Sequence, residues 1–322
     1  MAKRINPFTD FGFKYIFGRE SAKEYLIDFL NVLLDKEPNF EPISDITYSD
    51  KEHNGSGPQD RGIIYDINCV TPSGKQFIVE MQNTSQTYFL DRSVYYCCRA
   101  ISEQGLKGDD WEYDIKPVYV ISFVNFEIKG LEGQQRADIG LCNLETKKLI
   151  SDKIRLIYIQ LPKFREKKEE DCKNTFDWWL YNLINMETME QLAFIQQHRL
   201  FERLSKVTEY AALDKEQRRR YDADLKAYRD LTNSMRFIAT DNFAKGHKEG
   251  REEGREEGRK EGRKEGREEG HKEGRKEGRK EEKMETACRM FDNGFDIDII
   301  SKITGLSLDE IREAISESES LN

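Results

Sequence analysis

Two carboxylates stand where apolar residues would be expected. In Ile63-Ile64-Tyr65-Asp66-Ile67-Asn68-Cys69-Val70 the interruption is Asp66, and in Lys75-Gln76-Phe77-Ile78-Val79-Glu80-Met81-Gln82 it is Glu80. Both segments are rich in strand formers, and Thr71-Pro72-Ser73-Gly74 between them reads as the turn of a hairpin. Side chains two apart share a strand face, which groups Ile64, Asp66, Asn68 and Val70 on the first strand. On the second it groups Ile78, Glu80 and Gln82, with Phe77, Val79 and Met81 opposite. A carboxylate withdrawn from water is costly unless it is paired, hydrogen-bonded or bound to a cation. Asp66 by itself reads first as a hydrogen-bonded edge-strand residue rather than as a ligand. With Glu80 on a matching face near the rim of the sheet, the pair makes a hard-oxygen site suited to Mg²⁺ or Mn²⁺. An ion so held can polarise a phosphodiester and acidify an attacking water.

Other polar residues carry less. Lys14 and Arg92 read either as phosphate contacts or as paired surface cations. His53, in a Gly/Asn-rich loop, and His198, in a polar helix, have no partner at ligand spacing. Cys97-Cys98 reads as half-buried thiols on a helix, and Trp178-Trp179 as core packing.

The elements that must position the pair follow from periodicity. Leu26, Phe29, Leu30, Leu33 and Leu34 recur at helical spacing, and Pro38 and Pro42 stop that helix. The loop 43–62 has room for one more strand. A helix is expected from about 87 to 102, then a strand apolar on both faces over 117–124. A last strand pair brackets Glu145-Thr146-Lys147-Lys148. The order α-β-β-α-β-β-β is that of an α/β domain.

The spacing Asp66-x13-Glu80-x-Gln82 resembles the signature of the PD-(D/E)XK phosphodiesterases. Flanking segments sharpen the likeness. Asn6-Pro7-Phe8-Thr9-Asp10-Phe11-Gly12-Phe13-Lys14-Tyr15-Ile16-Phe17-Gly18 resembles the opening of the Rpn family of recombination-promoting nucleases, or transposases. So do Asp28-Phe29-Leu30-Asn31, Ile78-Val79-Glu80-Met81-Gln82, Asp91-Arg92-Ser93-Val94-Tyr95-Tyr96, Lys116-Pro117-Val118 and Gln160-Leu161-Pro162-Lys163-Phe164, in that order. The resemblance implies a restriction-endonuclease-like core and metal-dependent DNA cleavage. It implies that Asp66 and Glu80 are metal ligands, joined by the Met81 carbonyl, and that Gln82 replaces the superfamily's lysine. A neutral amide can hydrogen-bond and so position a water, but it cannot supply a cation's charge. It further implies a third acid, for which Asp10, Glu20 and Glu24 are all candidates.

Composition divides the remainder. Residues 246–283 hold 14 Lys/Arg and 13 Asp/Glu, and from Gly246 to Gly278 a glycine falls at every fourth position, nine in all. The glycine row drifts around a helix by about 40° per repeat, and each glycine costs about 1 kcal/mol of helix propensity. The repeat therefore reads either as a solvated, dynamic helical linker or as a helix paired with a copy of itself. Residues 284–322 form a small helical module resembling a helix-turn-helix. Their 3 Lys/Arg against 9 Asp/Glu favour assembly over phosphate contact.

The expected organisation is 1–165 nuclease-like, 166–245 helical extension, 246–283 repeat helix or linker, and 284–322 helical module. Residues 1–165 carry 21 Lys/Arg against 24 Asp/Glu, so DNA would have to be held by a local patch. The start has no signal-peptide pattern, no apolar run is long enough for a membrane span, and no CxxC pair occurs, which together suggest a reduced cytoplasmic setting. The resulting expectation is a metal-dependent DNA endonuclease that self-associates through its tail. The alternative is an inactive nuclease-fold scaffold that acts as an oligomeric interaction protein.

Overall fold

A computed structural model describes residues 3–37, 40–49, 52–53, 63–105, 112–189, 193 and 198–320. The chain divides into two compact units, 1–233 and 234–322.

The first unit is built on a six-stranded mixed sheet. In chain order its strands are β1 (Thr47–Tyr48), β4 (Ile67–Val70), β5 (Gln76–Gln82), β6 (Val118–Val124), β7 (Arg136–Cys142) and β8 (Leu149–Gln160). Their spatial order is β1-β4-β5-β6-β8-β7, and β2 (Glu52–His53) and β3 (Ile63–Ile64) pair separately. β5, β6 and β8 run parallel, while β4 and β7 flank them antiparallel. Every residue of β6 is buried, as a strand apolar on both faces requires.

Alternation along the strands sorts the core into two layers. Phe77, Val79, Tyr119, Ile121 and Phe123 face one cluster, shared with α1 (Asp10–Phe17), α2 (Lys23–Leu34), α5 (Thr175–Asn185) and α6 (Arg199–Val207). Tyr221 and Leu225, from the start of α7 (Lys215–Asp292), join it. Ile78, Val118, Val120 and Tyr158 face the other layer, covered by α3 (Phe89–Ser102). Residues 166–233 thus pack into the same core as the sheet. Trp179 is fully buried and donates from Nε1 to Asp28 at 2.7 Å.

Three expectations are corrected. The strand expected over 63–70 is broken at Tyr65-Asp66, so that β3 leaves the main sheet and β4 begins at Ile67. α1 precedes the helix expected to be first; it is short, but Thr9 caps it by accepting from the Gly12 amide at 2.9 Å. His198 is the residue before α6 rather than within a helix, and its ring packs on Phe201 at 4.9 Å. In the loop 43–62, β1 and β2 are present. Residues 50–51 and 54–62 lie outside the described residues, as do the surroundings of the His53 side chain.

In the second unit the repeat is helical throughout, as part of α7, which continues without interruption to Asp292. Gly294, at φ +85°, ends that helix. α8 (Ile297–Thr304) and α9 (Leu308–Ser320) close over Ala287, Ile300, Leu306 and Ile311. Ser307 and Glu310 form a capping box at the start of α9.

The glycines of α1 and α7 have opposite surroundings. A Cβ on Gly12 would lie 2.0 Å from the Asn6 carbonyl oxygen, whereas one on Gly258 would meet nothing within 4 Å. Gly12→Ala should therefore destabilise the first unit by about 1–3 kcal/mol through overpacking. Gly258→Ala should stabilise its helix by about 1 kcal/mol. Denaturant unfolding followed by circular dichroism checks both signs.

Candidate active site

The break after Tyr65 brings Asp66 to the carboxyl end of β5. The β4–β5 register pairs Ile67 with Val79, so Asp66 falls beside Glu80 where the ladder stops. Its Oδ2 accepts from the Met81 amide at 2.9 Å, a side chain taking the place of a strand carbonyl. In an antiparallel ladder a residue's N–H and C=O point to the same edge, so the Met81 carbonyl turns toward Asp66 as well.

Glu80 shares a face with Ile78 and is 8% exposed. Its Oε1 is buried without a hydrogen-bond partner. Burial, reinforced by the Asp66 charge, pushes its carboxyl up to about 7, against the opposing pull of Arg92, the Asp66 backbone and Lys14. Such a buried, unpartnered oxygen next to a second carboxylate is what a divalent cation would satisfy, and both donors are hard. The pair therefore fits Mg²⁺ or Mn²⁺. Among the described residues no group of three His, Cys, Asp or Glu forms a protein-only cage. Mg²⁺ does not need one, since it keeps several waters.

Gln82 has both ends of its amide engaged. Nε2 donates to the Thr84 carbonyl at 3.2 Å and to Thr84 Oγ1 at 3.4 Å, while Oε1 accepts from Arg92 at 2.7 Å. Arg92 also donates to Gln86 Oε1 at 2.6 Å. Arg92 is thus a paired residue at the site.

Of the three candidate acids only Asp10 is tied to the pair, through a shared cation. Lys14 Nζ lies 2.6 Å from Asp10 Oδ1 and 3.9 Å from Asp66 Oδ1. Burial pulls the Lys14 ammonium down, but the Asp10 hydrogen bond and the charges of Asp10, Asp66 and Asp224 outweigh it and hold the ammonium above the ordinary lysine range. Glu20 pairs instead with Lys23, and Glu24 with Arg203. A cleft of about 800 Å³ is lined by Asp10 and Lys14, but not by Asp66 or Glu80, and continues past Arg19, Arg219 and Arg220 and the carboxylates of Asp214, Glu216 and Asp224. From the sequence Lys14 reads either as a phosphate contact or as a paired surface cation, and its i,i+4 spacing from Asp10 is the local signal for the pair.

A carboxyl whose folded pKa, about 7, exceeds its ordinary 4.5 contributes stability below about 4.5 and loses it as pH rises through 7. In EDTA, Glu80→Gln should therefore gain stability over the wild type at pH 8 and not at pH 4.5. Thermal melts across that range test this, and a pH-independent difference would contradict the burial of Glu80 with its Oε1 unpartnered.

The sequence matches the family profile described as PD-(D/E)XK nuclease family transposase over residues 7–237. It also matches the Rpn/YhgA-like nuclease family C-terminal HTH domain over residues 280–315. No curated protein and no solved structure matches it. The first match spans most of the chain and contains Asp66, Glu80 and Gln82 in order, so the protein belongs to the PD-(D/E)XK nuclease family transposases, with an Rpn-type C-terminal domain.

Proposed function

We propose that this protein is a metal-dependent DNA endonuclease of the recombination-promoting, transposase-associated type, hydrolysing phosphodiester bonds at the Asp66–Glu80 pair. The observation that carries the reading is the buried, unpartnered Glu80 Oε1 beside the Asp66 carboxylate. A divalent ion, Mg²⁺ or Mn²⁺, would supply Lewis-acid polarisation of the phosphate and a more acidic water. The ligands are assigned to Asp66, Glu80 and the Met81 carbonyl. The Met81 amide holds the Asp66 carboxylate in one orientation. Glu80, whose carboxyl burial pushes up to about 7, would bind a cation in its deprotonated form. Gln82 positions Arg92 over the end of β5.

DNA is the assigned partner. The family match is what supports DNA, since the cleft lined by Lys14 balances Lys14, Arg19, Arg219 and Arg220 against Asp10, Asp214, Glu216 and Asp224, and the net charge of the chain is −9. The six cysteines are free thiols, which supports a reduced, cytoplasmic setting. Among the described residues no helix is long and apolar enough to cross a membrane.

Self-association through the tail is the second part of the reading. Phe237, Ile238 and Phe243 of α7, and Phe295, Ile299 and Ile303 of the C-terminal module, are exposed apolar side chains. The acidic balance of residues 284–322 supports assembly as that module's task. Light scattering should return a multiple of 37.8 kDa, reduced to a single copy by combining Ile238→Glu with Ile303→Glu.

The activity is tested by plasmid cleavage with Mg²⁺, Mn²⁺ or EDTA. Cutting should need the metal and fall at least about 100-fold in Asp66→Ala and in Glu80→Ala. Metal-dependent cutting that survives both substitutions would refute the site. A folded wild type that cuts with neither metal would favour the interaction scaffold.

A further inference from the structure

The superfamily's lysine is missing from the end of β5, where Gln82 brings no charge. We propose that Lys14, presented from α1, supplies the cation of this site: it neutralises Asp66 before the metal arrives and contacts the scissile phosphate afterwards. The inference rests on the metal reading of Asp66 and Glu80.

Its basis is geometric. The Lys14 ammonium stands 3.9 Å from Asp66 Oδ1, while the Met81 amide donates to Oδ2. It is also the point at which the pair meets the cleft, since Lys14 lines that cleft and is one-third exposed. A phosphate approaching the pair from the cleft would therefore reach Lys14 Nζ. Asp10 Oδ1, at 2.6 Å, keeps the ammonium directed there, and Asp10 is itself largely solvent-exposed.

Arg92, the other cation near Glu80, is less suited. Both its terminal nitrogens are committed to glutamine oxygens, and its guanidinium lies 5.6 Å and 5.7 Å from the ring centres of Phe89 and Tyr96. Lys14 has three donors and only one short partner.

α1 has the rigidity that this role needs. Thr9 caps it, Phe13 and Phe17 bury their rings against Phe123, and the Phe11 amide donates to Asp224 Oδ2 at 2.9 Å. Gly12 packs so closely on the Asn6 carbonyl that a Cβ there would lie 2.0 Å from its oxygen. A cation fixed in this way pays little reorganisation when charge develops on the phosphate, which is the condition for electrostatic stabilisation of a transition state.

A cation that neutralises Asp66 competes with the metal for it, so loss of Lys14 should move two measurements in opposite directions. In full-length Lys14→Met, Mn²⁺ affinity, followed by electron paramagnetic resonance without DNA, should rise several-fold. Plasmid cutting at saturating Mn²⁺ should fall roughly 100-fold. Lys14→Arg should keep part of the cutting and near-wild-type Mn²⁺ affinity, and it serves as the test should Lys14→Met not fold. Wild-type cutting by a folded Lys14→Met would overturn the proposal. So would a joint loss of Mn²⁺ affinity and cutting, which would mark Lys14 as a structural support of Asp66. A wild type that neither binds Mn²⁺ nor cuts would instead remove the underlying metal reading, and Asp66→Ala, run alongside, separates the two failures.

Discussion

One hydrogen bond organises the site: the Met81 amide donates to the Asp66 carboxylate. It closes the β4–β5 ladder with a side chain where a backbone carbonyl would otherwise serve, and so lets the chain leave the sheet at Tyr65. The same bond fixes one Asp66 oxygen beside Glu80, whose own Oε1 is left unpartnered. The fold is stabilised by one Asp66 oxygen, while the Asp66 charge, added to burial, pushes the Glu80 carboxyl up to about 7.

The helices after the sheet explain why α1 can serve this site. Asn6 and Phe11 hold α1 through Tyr221 and Asp224, more than two hundred residues further along the chain. Arg4 is buried among the same late helices, donating to the Met189 carbonyl and Ser205 Oγ. The N-terminal segment is thus clamped between the sheet and residues 166–233. Much of the side-chain entropy cost of fixing Lys14 is met by a scaffold that the core requires anyway.

The second unit follows a different logic. Its glycine tetrads meet no neighbouring atoms, so the low propensity of glycine is not offset by close packing within one chain. The charges along it nearly cancel, 14 against 13 over residues 246–283. That balance leaves the helix without a field that would attract nucleic acid.

Much of the fold was legible in the residues themselves. The doubly apolar β6, the hairpin β7–β8, α2, α3 and the capping box of α9 all follow from local period and punctuation, because those signals report burial directly. The set Asp66, Glu80 and Gln82 was legible as a spacing. Three features were not. The break at Asp66 depends on a carboxylate replacing a backbone acceptor, and strand propensity favours no such exchange over continued pairing. α1 is too short for periodicity to declare it, and contacts made more than two hundred residues away hold it in place. The placement of Lys14 and the engagement of Gln82 by Arg92 and Thr84 arise where α1, β5 and α3 converge. Sequence chemistry by itself determined which groups could bind a cation. Tertiary structure decided which of them meet, because the desolvation that raises Glu80 and the approach of Lys14 to Asp66 exist only once the sheet's end is closed by helices distant in the chain.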